Sequence, residues 1–183
     1  MTPDPTPDPT ADRSALETLL AKQAITEVIY RYCRALDRMD RALADTLWHP
    51  GGTADYGPTM FQGTGTGFLD WVWQAHAAML GHSHQIANVL IEVDADGDGA
   101  GSEAYVTATL WAAFTPGELT QIVSRGRYVD RWSRRAGSWA IDHRRFVEDF
   151  TTTTVLPGVA PPGPDATAAR RDRTDPSYEV LDL

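Results

Sequence analysis

The chain is predicted to form one α+β domain, three helices packed on the concave face of a curved, cone-shaped antiparallel sheet. Two observations predict this. Apolar residues recur at helical spacing up to about residue 80, and from Gly81 onward they run in strand-like segments separated by reversal-prone strings. Helices first and a strand meander second give an α+β layering in which the helices cover one sheet face. The length of 183 residues and an apolar content of 42%, with six Trp, six Tyr and five Phe, are enough for one domain with its own core.

The elements follow in order. Residues 1–13, MTPDPTPDPTADR, bury almost nothing and are expected to be a disordered tail. Ser14 followed by Glu17 has the spacing of a capping box, and Leu16, Leu19, Leu20, Val28, Ile29, Tyr32 and Leu36 then recur at helical spacing, which predicts a helix over 15–36. Asp40 is placed to cap a second, short helix carrying Leu43, Leu47 and Trp48, stopped by His49-Pro50-Gly51-Gly52. Residues 53–63 are expected to form a short strand pair around Gly57-Pro58. Residues 67–80 read as a third helix with Phe68, Val72, Ala75 and Met79 on one side.

Four strands are expected at about 84–93, 103–114, 119–133 and 138–149, joined by DADGDGAGS, TPGE and RRAGS. Strands of this length twist and therefore curl, and a curled sheet capped by helices leaves a conical cavity, the natural place for chemistry. The domain is expected to span 14–156, with 157–183 a mobile tail whose last residues, Tyr178 to Leu183, carry enough apolar character to dock on a neighbouring surface. The strand over 84–93 has Ile86 and Leu90 on one side and Ala87, Val89 and Ile91 on the other. Strands apolar on both sides are covered on both sides, so a homodimer or homotrimer is expected.

Composition excludes several classes. A formal charge of −9 and a pI near 4.9 argue against a nucleic-acid partner, which would call for a basic face. Cys33 is the sole cysteine, so no internal disulfide forms, and the cytoplasm is the expected address. No long apolar run and no basic-then-apolar leader points to a membrane or to secretion.

Two strings invite a metal. Asp94, Asp96 and Asp98 with Gly99 imitate the first half of a calcium loop, but Tyr105 stands where the closing carboxylate belongs and strands flank the loop where helices are required, so a hairpin turn is the better reading. His82 and His84 alternate at the start of a strand and so share a face. None of the further donors (His49, His76, His143, Asp55, Asp142) stands at a metal-site spacing, and neither a metal nor another cofactor is expected. A histidine acting as a base needs only one carboxylate to orient it. Asp37, at the end of the first helix, is the candidate, although Asp37 and Asp40 would also serve as caps of the helix-helix joint. Tyr32, on the same helix, is either a phenol facing the cavity or a core residue.

The strings AITEVIYRYCRALDRMDRALADTLWHPGGTADYG, FQGTGTGFLDWV, HSHQIANVLIEVDADGDGAGSEAYVTA and GRYVDRWSRRAGSWAIDHRRFVEDF together resemble the SnoaL-like branch of the nuclear transport factor two-like superfamily over about residues 15–150. Within it the chain is similar to scytalone dehydratase, bile-acid 7α-dehydratase and hexachlorocyclohexane dehydrochlorinase. That resemblance implies a metal-free His-Asp dyad with His84 as base, Asp37 as orienting carboxylate, Tyr32 as acid or hydrogen-bond donor, and Arg144 on the last strand as a further catalytic group. His82 has no counterpart and reads as a pocket-rim or structural residue. Tyr56, Phe61, Trp73, Asn88, Trp111 and Phe146 are the expected substrate-binding residues. The implied function is a cofactor-free lyase of the dehydratase type, with isomerase second, acting on a small hydrophobic ring-containing substrate. The alternatives are a retro-aldol, deformylating lyase on an aromatic alcohol, a non-catalytic small subunit of a ring-hydroxylating dioxygenase, or a ligand-binding protein.

Overall fold

A computed structural model describes residues 9–157 and 163–181, with side chains described from residue 13. Its elements are helices α1 (Pro9–Asp37), α2 (Arg41–Asp45) and α3 (Gly65–Ala77), and strands β1 (Trp48–Asp55), β2 (Gln62–Thr64), β3 (Gly81–Val93), β4 (Gly99–Ala112), β5 (Leu119–Arg135) and β6 (Ser138–Leu156). A 3-10 turn, Pro176–Glu179, follows. The six strands form one curved, unclosed sheet in the order β2-β1-β6-β5-β4-β3. The expected meander accounts for β3 to β6. β1 then joins β6 in parallel, which only register along the whole sheet reveals. No helix among the described residues is long and apolar enough to cross a membrane.

The helices pack as their apolar stripes dictate. Ala21, Ile25, Ile29, Tyr32, Cys33 and Leu36 of α1 are buried, and α1 lies against β3 and β6. Burying each large aliphatic side chain here stabilises the fold by about 1.5–3 kcal/mol. Leu16, Leu19 and Leu20 were expected in the same stripe but are exposed, since the first turns of α1 run past the described core. Of the expected tail at 1–13, residues 1–8 lie outside the described residues and the remainder is helical. Asp40 caps α2 as expected, its Oδ1 accepting from the backbone N–H of Leu43 at 3.1 Å. The helix ends at Asp45, before Trp48, which starts β1 together with His49 and Pro50. Pro50 falls where the β1–β6 register is interrupted, so its missing N–H disturbs no ladder there. Gly65 opens α3 directly over Trp48, and a Cβ there would meet the indole at 2.5 Å.

Register slips shape the sheet, once between β3 and β4 and twice between β5 and β6. In β3 the register slips between Ala87 and Leu90, with Asn88 at a positive φ of 48°. The slip restores the inward parity, so Ile86, Val89, Ile91 and Val93 all face the core while Leu90 is exposed. The expected second apolar face of this strand is therefore largely cancelled. A second bulge lies between Arg125 and Gly126, where a Cβ would strike the Val147 carbonyl at 2.2 Å. The acidic string forms the β3–β4 hairpin turn, with Asp96 Oδ1 accepting from the N–H groups of Asp98 and Gly99.

The composition of 157–183 predicts little packing, yet residues 171–178 bond to the helices. Arg34 donates to Ser177 at 2.9 Å and sits over the Tyr178 ring, while Arg38 pairs with Asp175 at 3.3 Å. Asp40 Oδ2 accepts from Arg173 and from the Tyr178 hydroxyl. These contacts span more than 130 residues of sequence, beyond the reach of any local pattern.

At the centre, cross-strand neighbours Asp130 and Arg144 form a bidentate pair with N–O distances of 2.8 and 2.7 Å, and both side chains are fully buried. The guanidinium carbon lies 4.1 Å from the centre of the Tyr32 ring and 4.0 Å from that of Tyr128, which fastens α1 to the sheet. Replacing one partner strands a buried charge. We expect Asp130→Asn to lower the unfolding free energy in urea by about 3–5 kcal/mol, and the double change Asp130→Leu with Arg144→Met to recover most of it.

Candidate active site

The last residue of α1 and the fourth residue of β3 meet at one edge of the core. His84 Nδ1 donates to Asp37 Oδ1 at 2.6 Å, and the His84 backbone N–H donates to Asp37 Oδ2 at 3.0 Å. The side chains are only 5% and 14% exposed. A carboxylate only accepts, so the ring is held as the Nδ1–H tautomer with Nε2 free to take a proton. Asp37 and Asp40 therefore divide the work: Asp40 caps α2 and anchors the C-terminal segment, while Asp37 binds the histidine.

His84 lines a cavity of about 250 Å³ between the helices and the sheet. At about 30 Å³ per water this holds roughly eight waters, or one ring-sized molecule. Most of the wall is apolar, including Leu36, Phe68, Val72, Met79 and Val106. Three phenols enter it: the Tyr32 and Tyr56 hydroxyls share a hydrogen bond at 2.9 Å, and Tyr128 lies beside them. Burial pushes the Tyr32 phenol up to about 12 against the opposing pull of Arg144, and burial likewise raises Tyr56 and Tyr128. All three stay protonated at neutral pH and act as hydrogen-bond donors or acceptors.

The remaining expected site residues separate into two groups. Tyr56 and Phe146 line the cavity, with Tyr56 stacked on Phe68 at 4.2 Å. Phe61 stands behind the wall, packed on Phe68 and Trp71. Trp73 is turned toward Arg41, Asn88 is exposed at the β3 bulge, and Trp111 falls on the outward parity of β4. Arg144 does not line the cavity: its pair with Asp130 holds the charge under the Tyr32 and Tyr128 rings, and it reaches the site only through them.

Sequence reasoning missed Tyr128, which only the strand register places, and His76. His76 lines the cavity from the last turn of α3, and its ring centre lies 4.2 Å from that of His82. His82 is buried, and its Nε2 accepts from Arg171 at 3.1 Å. Burial drives the His76 ring down to about 3, helped by His82, His84 and Arg171, and drives His82 down to about 4, helped by Arg171 and His84 against the pull of Asp37. Only His84 of the three has a carboxylate partner. No group of three or more His, Cys, Asp or Glu side chains among the described residues is arranged to hold a metal ion.

A curved sheet closed by helices over an apolar cavity, with a largely buried histidine–aspartate pair at its edge, defines a class of cone-shaped α+β proteins. Residues 17–145 match the family model of the SnoaL-like domain, and the chain belongs to that family, within the nuclear transport factor two-like superfamily. A candidate scytalone dehydratase from Novosphingobium aromaticivorans is similar over 80% of this chain and 99% of its own, at 22% identity and a TM-score of 0.64. A hexachlorocyclohexane dehydrochlorinase from Novosphingobium barchaimii gives 81%, 99%, 18% and 0.67 for the same quantities. A candidate aromatic ring hydroxylase, also from Novosphingobium aromaticivorans, gives 74%, 94%, 18% and 0.65. Identities at this level show a shared fold. No curated protein matched the chain.

The two histidines without a carboxylate partner have a consequence for stability. Unfolded rings bind protons near pH 6.5, whereas the folded rings resist protonation down to about pH 4 for His82 and about pH 3 for His76. Between these limits the unfolded chain holds more protons, so stability falls as pH drops through the window. We expect the urea midpoint to decline from pH 7 to pH 4, with a shallower decline in His82→Gln.

Proposed function

We propose that the protein is a cofactor-free lyase of the dehydratase or elimination type, with isomerisation the second choice, acting on a small hydrophobic ring-containing substrate through His84 as general base. The observation that carries this reading is the largely buried contact between His84 and Asp37, which occupies Nδ1 of a ring that lines an apolar cavity. In such a site His84 takes a proton beside an activating group, and Asp37 stabilises the imidazolium that forms. Tyr32, with Tyr56 bonded to it, donates to a departing hydroxyl or to a developing oxyanion. Arg144 contributes from behind the rings, its positive charge biasing the Tyr32 and Tyr128 phenols as donors. The fold relatives bearing dehydratase and dehydrochlorinase names support the reaction class, and they leave the substrate open.

A base that removes a carbon-bound proton also exchanges it with solvent. Incubated in D2O with a panel of cyclic hydroxy ketones, the protein is expected to catalyse deuterium incorporation or loss of water, read by mass spectrometry. His84→Gln is expected to slow this by about 10²- to 10⁴-fold. A binding protein or a non-catalytic subunit catalyses neither, with or without His84.

The outer sheet face supports self-association. Leu90, Tyr105, Val129 and Phe150 share its parity and are exposed, interleaved with the Arg127–Glu103 pair. We infer a homodimer or homotrimer through this face. Light scattering is expected to give two or three times the chain mass of 20.1 kDa, and a mass of one chain contradicts it.

A further inference from the structure

Three imidazoles gather at the corner of α3 and β3, and the dyad explains only one of them. His76 stands in an otherwise apolar stripe of α3 with Phe68, Leu69 and Val72, and its ring centre is 6.3 Å from that of His84. It is 9% exposed, and its Nδ1 is buried with no partner among the described residues. An unpaired buried polar group is costly, and a leucine at this helical position would carry no such cost. The polar ring is therefore unexplained by packing, and it borders the cavity.

A second observation concerns what holds it. Arg171, from the C-terminal segment, donates through Nη2 to the His76 carbonyl at 2.7 Å and to His82 Nε2 at 3.1 Å, and through Nη1 to the Met79 carbonyl. The His76 carbonyl is in the last turn of the helix, where a cation is favoured, and the Met79 carbonyl lies just past it, so one guanidinium fixes the last turn of α3, the ring of His82 and the approach of β3.

We propose that His76 is a ligand-binding residue of this cavity, hydrogen-bonding a hydroxyl or carbonyl oxygen on the ring of the ligand beside the group that His84 deprotonates, with Arg171 as its positioning residue. The proposal rests on the cavity being the substrate site and narrows the substrate class from a hydrophobic ring to a ring carrying an oxygen substituent near its reacting atom. A neutral imidazole offers both an N–H and a lone pair, so His76 can serve either kind of oxygen. The groups facing it are His82 and His84 from β3 and Arg171 from the C-terminal segment, and none is a carboxylate. A proton taken by His84 therefore stays on His84, where Asp37 stabilises it, and His76 remains a binding group.

Calorimetric titration with two probes of similar shape, benzyl alcohol and toluene, tests this without any knowledge of the substrate. The quantity read is the ratio of their dissociation constants. His76→Leu is expected to weaken benzyl alcohol relative to toluene by about tenfold, the worth of one hydrogen bond. Arg171→Ala is expected to move the ratio the same way and Arg171→Lys to restore it, which a merely structural role would not do. An unchanged ratio in His76→Leu, an equal loss of both probes, or a wild-type protein that binds neither overturns the proposal. An unchanged ratio in Arg171→Ala removes the positioning role. If the ratio moves while no substrate exchanges deuterium, the His76 assignment stands and the lyase reading falls.

Discussion

One hydrogen-bonded contact gives the cavity its chemical character: a helix-terminal aspartate uses both carboxylate oxygens on a single strand histidine, one on the ring and one on the backbone. The double grip fixes the ring and its tautomer together. It requires the end of α1 to sit against β3 within a few tenths of an ångström, so everything that seats α1 serves the site as well. The seating comes from the buried stripe Ile25, Ile29, Tyr32 and Leu36, and from the Arg144 guanidinium held between Tyr32 and Tyr128. The C-terminal segment adds a third hold through Arg34, Arg38 and Asp40, which flank Asp37 in sequence.

The two buried ionic arrangements do different work. Asp130 and Arg144 neutralise each other in full burial through Nε and Nη2 and lie behind the aromatic wall, so that charge organises the wall without entering the cavity. Asp37 and His84 are also nearly dry, but one ring nitrogen is left uncommitted. A site that must gain a proton during reaction needs a nitrogen with a lone pair, which a guanidinium bound to a carboxylate does not offer. The neutral histidines and phenols between them supply hydrogen bonds without competing for that proton.

Much of this was legible in the sequence where the cause is local. The stripe of Ile29, Tyr32 and Leu36, the Asp40 cap and the hairpin turn at Asp94–Gly99 each follow from spacing and turn chemistry within a few residues. The pairing of Asp37 with His84 was legible only through family resemblance, because spacing alone allowed Asp37 to be a cap. What stayed hidden depends on distant partners. Arg144 points away from the cavity because Asp130 stands opposite it across the β5–β6 ladder. The β3 bulge reverses the apparent facing of Val89 and Ile91, and no residue before Asn88 signals it. Arg171 reaches His76 and His82 across about ninety residues from a segment read as a mobile tail with docking character only at Tyr178 to Leu183.

The central claim is that Asp37 holds His84 with its proton on Nδ1 and its lone pair on Nε2. Long-range proton–nitrogen correlation spectra of ¹⁵N-histidine-labelled protein at neutral pH measure this directly, with His84→Gln supplying the assignment. The account predicts a His84 ring protonated at Nδ1 alone in the wild type, and loss of that fixed tautomer in Asp37→Ala. A His84 ring protonated at Nε2, or one whose tautomers interchange equally in both proteins, would contradict it.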